Sequence, residues 1–115
     1  MAEVKNPKFE LYKTKAGKFR FRLYAVNGQI ILTSQSYASK ATAKKGIASV
    51  QKNAASEAQF ERGTAKNGQL YFNLIAANKQ VVGTSQMYAS KATCTNGIKA
   101  VMRDAPKAGI LDSVK

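Results

Sequence analysis

An internal repeat runs through most of this chain and limits the folds that are open to it. The ten residues from Thr33 to Thr42 return, with one change, from Thr84 to Thr93, which sets an offset of 84 − 33 = 51 residues. Nearly half of the aligned positions of the two copies match at this offset, without a gap. A fixed period of this length indicates one supersecondary unit used twice. A single copy, at about 50 residues, is near the lower limit for independent folding, so we expect the two copies to share one core.

Each copy carries three strand signals followed by a helix signal. The strands are predicted over residues 9–13, 18–25 and 29–33 in the first copy, and at the same offset in the second. In both copies, apolar residues of the middle strand occupy every second position: Phe19, Phe21, Leu23, Ala25 and Leu70, Phe72, Leu74, Ala76. This alternation indicates a sheet with one buried and one solvated face.

Short polar segments mark the hairpin turns and the helix starts. Asn27-Gly28 and Asn67-Gly68 are strong signals for type I′ turns, in which both central residues have positive φ, whereas one turn of the second copy reads Asn78-Lys79. The helices are predicted to begin near Ser39 and near Ser90, because a serine hydroxyl caps free backbone N–H groups.

Each predicted helix has an apolar stripe at helical spacing. The two stripes are Ala43, Ile47, Val50, Ala54 and Cys94, Ile98, Val101, Ala105. Gly46 and Gly97 lie within them. Because glycine costs about 1 kcal/mol relative to alanine in a helix, its presence in both copies predicts a close approach of the helix backbone to the sheet. Cys94 takes the place of Ala43 and is predicted to be a small core residue rather than a nucleophile.

The repeat also divides the chain. Residues 1–8 form an N-terminal extension, 9–56 and 57–107 are the two repeats, and 108–115 resemble the start of a third copy, because Leu111 aligns with Phe60 at the same offset. We predict that this last segment forms a closing strand that pairs with the first repeat and ties the chain ends together. The chain is then one globular unit.

The composition argues against an enzyme. The chain has no histidine, the commonest general base and metal ligand at neutral pH, and it has one cysteine and six scattered acidic residues. We therefore predict no catalytic group, no metal site and no cofactor. No apolar stretch reaches the roughly 20 residues that cross a bilayer, and the first residues lack a signal-peptide pattern, so we expect a cytoplasmic monomer.

The net charge of +13 suggests affinity for polyanions, and nucleic acid is the usual partner of small basic proteins. Residues 1–55 carry 11 basic and 2 acidic residues (+9), whereas residues 56–115 carry 8 and 4 (+4). The candidate nucleic-acid-binding residues are Lys18, Arg20, Arg22 and Tyr24, which alternate outward on the solvated face of the middle strand, and Lys13 and Lys15 beside them. The second copy replaces the strand positions with Gln69, Tyr71, Asn73 and Ile75. This face is therefore either specialised in the first copy or merely solvated.

The nearly identical stretch of the two copies is the second candidate. It leads into a helix N-terminus, where free N–H groups and the helix dipole attract anions. The candidate anion ligands are Ser39, Lys40, Ser90 and Lys91, with the hydroxyls of Ser34 and Ser85 beside them. The alternative explanation is structural, with capping serines and a tyrosine, Tyr37 or Tyr88, packed over the strand-to-helix corner. The same corner loops are the alternative site for a protein partner.

Several motifs carry a family resemblance. They are Phe-Glu-Leu-Tyr-Lys at 9–13, Gly-Lys-Phe-Arg-Phe at 17–21, Asn-Gly-Gln at 27–29, and Gly46-Ile47 with Val50. In these motifs the chain resembles the YegP-like family, a bacterial family of unknown function often found as tandem repeats, from about Lys8 to Val114. The resemblance implies an α+β fold in which two β-β-β-α-β units form a single, mainly antiparallel sheet with one helix per repeat and exchanged C-terminal strands. It implies no activity, cofactor or site residue, and the second copy departs from the pattern at Asn78-Lys79.

Overall fold

A computed structural model describes residues 5–114 as one seven-stranded sheet with two helices. The first repeat contains β1 (Lys8–Lys13), β2 (Phe19–Tyr24), β3 (Ile30–Thr33) and α1 (Lys40–Asn53). The second contains β4 (Phe60–Thr64), β5 (Leu70–Ile75), β6 (Val81–Thr84) and α2 (Lys91–Asp104), and β7 (Gly109–Asp112) follows it. The predicted α+β class, with one sheet and two helices, is confirmed. Residues 1–4 of the predicted N-terminal extension, and Lys115 of the predicted closing segment, lie outside the described residues.

The strand order is β4-β5-β6-β3-β2-β1-β7. The β1–β7 pair is parallel and the other pairs are antiparallel. The two repeats join at the centre of the sheet, where Thr33 of β3 pairs with Thr84 of β6. These two residues are equivalent at the offset of 51 residues. An approximate two-fold axis therefore passes between β3 and β6 and relates the repeats.

Both helices pack on one face of the sheet, and a single hydrophobic cluster joins the two repeats. Of the expected inward residues of β2 and β5, Phe21, Leu23, Phe72 and Leu74 are fully buried, whereas Phe19 and Leu70, at the starts of the strands, are half-buried. Every residue of the α1 stripe is fully buried. The α2 stripe is buried in the same way, and Cys94 is a buried core thiol. The prediction of a shared core is confirmed by these contacts.

The glycine inside each helix accommodates an aromatic stack. Tyr37 stacks on Phe21 with ring centres 6.1 Å apart, and Tyr88 stacks on Phe72 at 6.2 Å. A Cβ atom on Gly46 would lie 2.7 Å from Tyr37 Cζ and 2.9 Å from Phe21 Cε2, which is closer than side chains tolerate. The helix does approach the sheet closely, and the ring that presses on the glycine is the tyrosine of the corner.

The turn type differs from the prediction. The hairpin glycines Gly28 and Gly68 have φ of 84° and 85°, but Lys79 is the one non-glycine residue with positive φ among residues 5–114, so the asparagines before the glycines do not fit a type I′ turn. The turns instead have the three-residue pattern of a type I turn followed by a left-handed residue. The asparagine is used differently: Asn27 Oδ1 accepts a hydrogen bond from Gln29 N at 3.1 Å, which forms an Asx turn.

At the approximate axis, one residue packs against its own counterpart. A Cβ atom on Gly83 would lie 2.7 Å from Leu32 Cγ, and Gly83 is the residue equivalent to Leu32 at the offset of 51. Two leucines related by the axis would occupy the same space. The structure avoids this overlap by placing a leucine on one side and a glycine on the other.

Asp104 links the end of α2 to the first repeat. Its carboxylate is fully buried and accepts hydrogen bonds from Arg103 Nε at 2.7 Å and Arg103 Nη2 at 2.8 Å. The Val26 N–H, between β2 and β3, lies 3.4 Å from Asp104 Oδ2. The hydrogen bond from Arg103 is the main reason that the pKa of Asp104 lies below its usual range, although burial opposes it.

Exchanging the residues at the axis tests the packing. Gly83→Leu should destabilise the fold by about 1–3 kcal/mol or more through overpacking, and Leu32→Gly by about 2–5 kcal/mol through loss of a buried side chain. The double variant Leu32→Gly/Gly83→Leu puts the leucine on the other side of the axis, so it should recover more than half of the summed loss. Urea unfolding of all four proteins measures this coupling. Simple addition of the two losses would show that the positions do not share one space.

The lowered pKa of Asp104 predicts acid-dependent stability. A carboxylate with a depressed native pKa stabilises the fold fully above its unfolded pKa, near 3.9, and this contribution is lost as pH falls through the native pKa. Asp104→Asn should therefore cost about 1–2 kcal/mol at neutral pH and little at pH near 2. Asp112→Asn is the matched control. The pKa of Asp112 is also lowered, but its side chain is exposed, whereas that of Asp104 is buried. Equal losses at both pH values would contradict the assignment.

Candidate functional site

The first candidate surface is the side of the sheet opposite the helices, in the first repeat. β2 places Arg20, Arg22 and Tyr24 on this side, because the residues between them are buried in the core. Arg20 Nε and Nη2 donate to the Ser34 carbonyl oxygen at 3.2 and 2.9 Å. A guanidinium has five N–H donors, so three of those of Arg20 remain for a ligand.

Arg22 and Tyr24 are held around one carboxylate. The guanidinium carbon of Arg22 lies 4.2 Å from the centre of the Tyr12 ring, and its Nε lies 3.5 Å from Glu10 Oε1. The Tyr24 hydroxyl donates to the same oxygen at 2.9 Å. Burial raises the pKa of Tyr24, and the hydrogen bond and negative charge of Glu10 raise it further, so the phenol keeps its proton.

The predicted lysines extend this surface to the tip of the β1–β2 hairpin. Lys13, Lys15 and Lys18 are exposed, and none of them forms an ion pair with another residue of 5–114. β1 turns Lys13 to the helix side of the sheet, because Lys13 alternates with the buried Phe9 and Leu11 and pairs with Phe19. The other five predicted residues lie along β2 or at the hairpin tip, and we call them the cationic face: Lys15, Lys18, Arg20, Arg22 and Tyr24. In the second repeat the equivalent strand surface is neutral, and Asn73 Oδ1 accepts a hydrogen bond from Thr84 Oγ1 at 2.7 Å.

The serines of the strand-to-helix corners are used by the fold. The Ser39 hydroxyl accepts from Thr42 N at 3.2 Å and the Thr42 hydroxyl accepts from Ser39 N at 3.3 Å, which is a reciprocal capping pair. Ser90 and Thr93 form the same pair at the start of α2. The buried Ser34 hydroxyl accepts from Phe21 N and donates to the Gln35 carbonyl, both at 2.8 Å. These hydroxyls already have protein partners, as the structural alternative supposed.

The two corner lysines differ from each other. Lys40 forms an ion pair with Asp112 of β7, and this contact is the main cause of the lowered pKa of Asp112. Lys91, its equivalent in the second repeat, is exposed and has no ion-pair partner within the part of the chain that the structure describes. The corners are therefore alike in their caps and unlike in their charge pairing.

The strands at the two edges of the sheet explain why, within residues 5–114, Lys40 has an ion-pair partner and Lys91 has none. β7 lies parallel to β1, where Ser113 N donates to the Leu11 carbonyl at 2.8 Å and Ser113 Oγ donates to Glu10 Oε2 at 3.2 Å. In the second repeat, β4 stands at the other end of the strand order, with β5 as its neighbour. A groove of about 390 Å³ follows β4, and we call it the edge groove; it is lined by Arg62, Gly63, Thr64, Leu70, Lys91 and Cys94.

Sequence reasoning missed the edge groove, although one signal was present. Arg62 is the counterpart of Leu11, and Leu11 is fully buried whereas Arg62 is exposed. A core leucine that becomes an arginine at the same repeat position indicates that its copy lacks a covering strand. Sequence reasoning also left Glu10 and Tyr12 out of the cationic surface, although their alternation in β1 places them beside it.

The two surfaces described above present positive charge and hydrogen-bond donors. No group of three side chains suited to a metal ion occurs among residues 5–114. The one cysteine, Cys94, has its side chain fully buried in the core. Neither of the helices within residues 5–114 is long and apolar enough to cross a bilayer.

Comparison with family models and curated proteins finds close relatives. A model for a domain of unknown function, DUF1508, matches residues 14–61 and again residues 65–112. A UPF0339 protein of Acinetobacter baylyi is 51% identical over 90% of this chain and 94% of its own length. The UPF0339 protein YegP of Shigella flexneri is 49% identical over 91% of this chain and 96% of its own length.

Two solved structures share the fold. The solution NMR structure of YegP from Escherichia coli, described as a protein of unknown function, has a TM-score of 0.90 and 44% identity, and the match covers 98% of this chain and 97% of that one. The solution NMR structure of a UPF0339 protein from Shewanella oneidensis has a TM-score of 0.88 and 48% identity, with 93% and 91% covered. These relatives are uncharacterised and attach no activity to the surfaces described above.

Proposed function

The chain belongs to the YegP-like family, with the domain of unknown function DUF1508 present in two copies, and we propose that it acts by binding single-stranded nucleic acid rather than by catalysis. The observation that supports this function is the cationic face. Arg22 and Tyr24 meet there at Glu10, Arg20 lies further along β2, and Lys15 and Lys18 extend the positive charge to the hairpin tip. The absence of histidine from the sequence also favours binding over acid–base chemistry.

The lysines and arginines of the cationic face have different tasks in this proposal. Lys15 and Lys18 are exposed point charges at the hairpin tip, suited to neutralising phosphates and releasing their counterions, and Lys13 adds a charge beside them on the helix side of the sheet. Arg20 is fixed by the Ser34 carbonyl and has three N–H donors left for a phosphate or a base edge.

The aromatic part of the face suits unpaired bases. The guanidinium of Arg22 lies over the Tyr12 ring, and a guanidinium plane can stack on a base as an aromatic ring does. Tyr24 is held through Glu10, so little side-chain freedom is lost when a base packs on it. Bases in a duplex are already stacked on each other, and for this reason the proposal names a single strand.

The second candidate function is binding of a small anion or a protein at a corner loop. Lys40 is engaged by Asp112, which leaves the corner of the second repeat, with Lys91, as the candidate. The edge groove beside Lys91 favours a protein segment over a small anion, because the groove has an apolar floor in Leu70.

Titration of a labelled single strand tests the nucleic-acid proposal. Full-length protein should bind a single-stranded RNA or DNA of about 20 nucleotides with micromolar affinity near physiological salt, and more tightly than a duplex of the same length. Lys13→Ala/Lys15→Ala/Lys18→Ala should weaken binding and lower the salt slope by about two, because each phosphate contact with a single strand contributes about 0.7. Arg20→Ala/Arg22→Ala should remove the preference for the single strand.

A matched triple variant controls for net charge. Lys45, Lys52 and Lys99 are exposed lysines of the helices, on the other side of the molecule. Their replacement by alanine removes the same charge as the hairpin triple variant and should leave most of the affinity. Equal losses in the two triple variants would mean general charge attraction and would overturn the proposal, as would tighter binding of the duplex.

A further inference from the structure

The strand β7 shows what one edge of this sheet is built to hold. It lies on β1 with Ile110 opposite Phe9, Leu111 opposite Glu10 and Asp112 opposite Leu11. Three polar contacts fix it: Ser113 N to the Leu11 carbonyl, Ser113 Oγ to Glu10, and Asp112 to Lys40. The first repeat therefore binds a parallel strand whose acidic side chain meets the lysine at the start of α1.

In the second repeat, β4 has the equivalent edge, but no strand among residues 5–114 covers it. Glu61 is the counterpart of Glu10, Lys91 of Lys40 and Arg62 of Leu11. Because the Leu11 carbonyl accepts from β7, the carbonyl of Arg62 is expected to face the open edge of β4. Phe60 is partly exposed, whereas its counterpart Phe9 is fully buried. A strand that covered β4 would therefore remove apolar surface of Phe60 from water.

The charged residues at this edge of β4 indicate which kind of strand can bind there. In the register of β7 on β1, the residue equivalent to Asp112 would stand opposite Arg62 and reach Lys91. An acidic side chain there would meet two cations, whereas Asp112 meets Lys40 alone as its ion-pair partner within the described chain. A basic or wholly apolar strand would leave Arg62 unpaired at the edge, and charges placed in this way protect edge strands from unspecific pairing.

We propose that β4 and the edge groove form a docking site for an extended acidic segment of a partner protein, which adds to the sheet as a strand parallel to β4. The segment carries two apolar residues followed by an aspartate or glutamate, in the order of Ile110, Leu111 and Asp112. A residue with a hydroxyl or amide donor after the acid would bond to Glu61, as Ser113 does to Glu10. This is recognition by strand addition, in which backbone hydrogen bonds give affinity and side-chain pockets give selectivity.

A second copy of this chain fits the site less well. Its own acidic strand, β7, is already held on β1 of the same chain, and Asp112 is paired with Lys40. Release of that strand would expose Leu11 and Phe9, which are fully buried. The occupant is therefore a strand from a different protein.

The probe is a synthetic peptide with the sequence of residues 108–114, blocked at both ends and titrated into the full chain. Amide chemical shifts by NMR should change at β4 and at the start of α2, and not along the cationic face. A peptide with lysine in place of the aspartate should bind about fivefold or more weakly, since it faces two cations. Arg62→Glu/Lys91→Glu should reverse this preference and bind the lysine peptide better.

Lys99→Glu is the matched protein control, because Lys99 is an exposed residue of α2 outside the groove. It should change the affinity for either peptide by less than the groove variant does. Arg62 and Lys91 are exposed, so their replacement should leave the amide spectrum of the fold intact. The proposal is overturned if the shifts fall on β1 and β7, if the groove variant keeps the original preference, or if β4 shifts grow with protein concentration alone, which would indicate self-association.

Discussion

The packing of Leu32 against Gly83 is the contact on which the rest of this molecule depends. A repeat of about 50 residues is near the lower limit of size for folding alone, and the two copies share one core. They obtain it by joining β3 to β6 at an approximate two-fold axis, where Thr33 pairs with Thr84. Residues next to such an axis meet their own counterparts, and a glycine on one side is what allows a leucine on the other.

The join at the centre decides what happens at the two ends of the sheet. With β3 and β6 in the middle, β1 and β4 become the outer strands of their repeats, and β7, the last strand of residues 5–114, lies on β1. The sequence of each copy has adapted to its own edge. Leu11 is buried beneath β7, whereas Arg62 is exposed at the other edge; Lys40 has an acidic partner in β7, whereas Lys91 is exposed. The two repeats thus differ in whether a further strand covers their outer edge, and the charged residues at the two edges differ accordingly.

Most of the fold was predictable because the signals that specify it are local. Alternation in β2 and β5, the helical stripes and the capping serines are all read within a few residues, and the structure agrees with them. The turn type was not predicted correctly, since the Asn27 side chain accepts a hydrogen bond and its backbone does not have a positive φ. The partners of Arg20 and Arg22, namely Ser34, Glu10 and Tyr12, come from neighbouring strands, so the sequence placed the arginines on a face without showing what holds them. The edge groove depends on strand order, which no local pattern records.

Residues that are identical in the two copies indicate what the fold needs rather than where a ligand binds. The stretch that is nearly identical, 33–42 and 84–93, holds side chains that the fold uses: Ser34 bonds to the backbone of β2, Tyr37 stacks on Phe21, and Ser39 caps α1. The copies also differ inside the core, at Leu32 and Gly83, but the differences of Arg20 against Tyr71 and of Leu11 against Arg62 lie at positions that are not buried in at least one copy. In a protein made of two copies, what both copies keep is what the fold requires of each. Binding is therefore best sought where the copies have diverged, and both surfaces proposed here meet that condition.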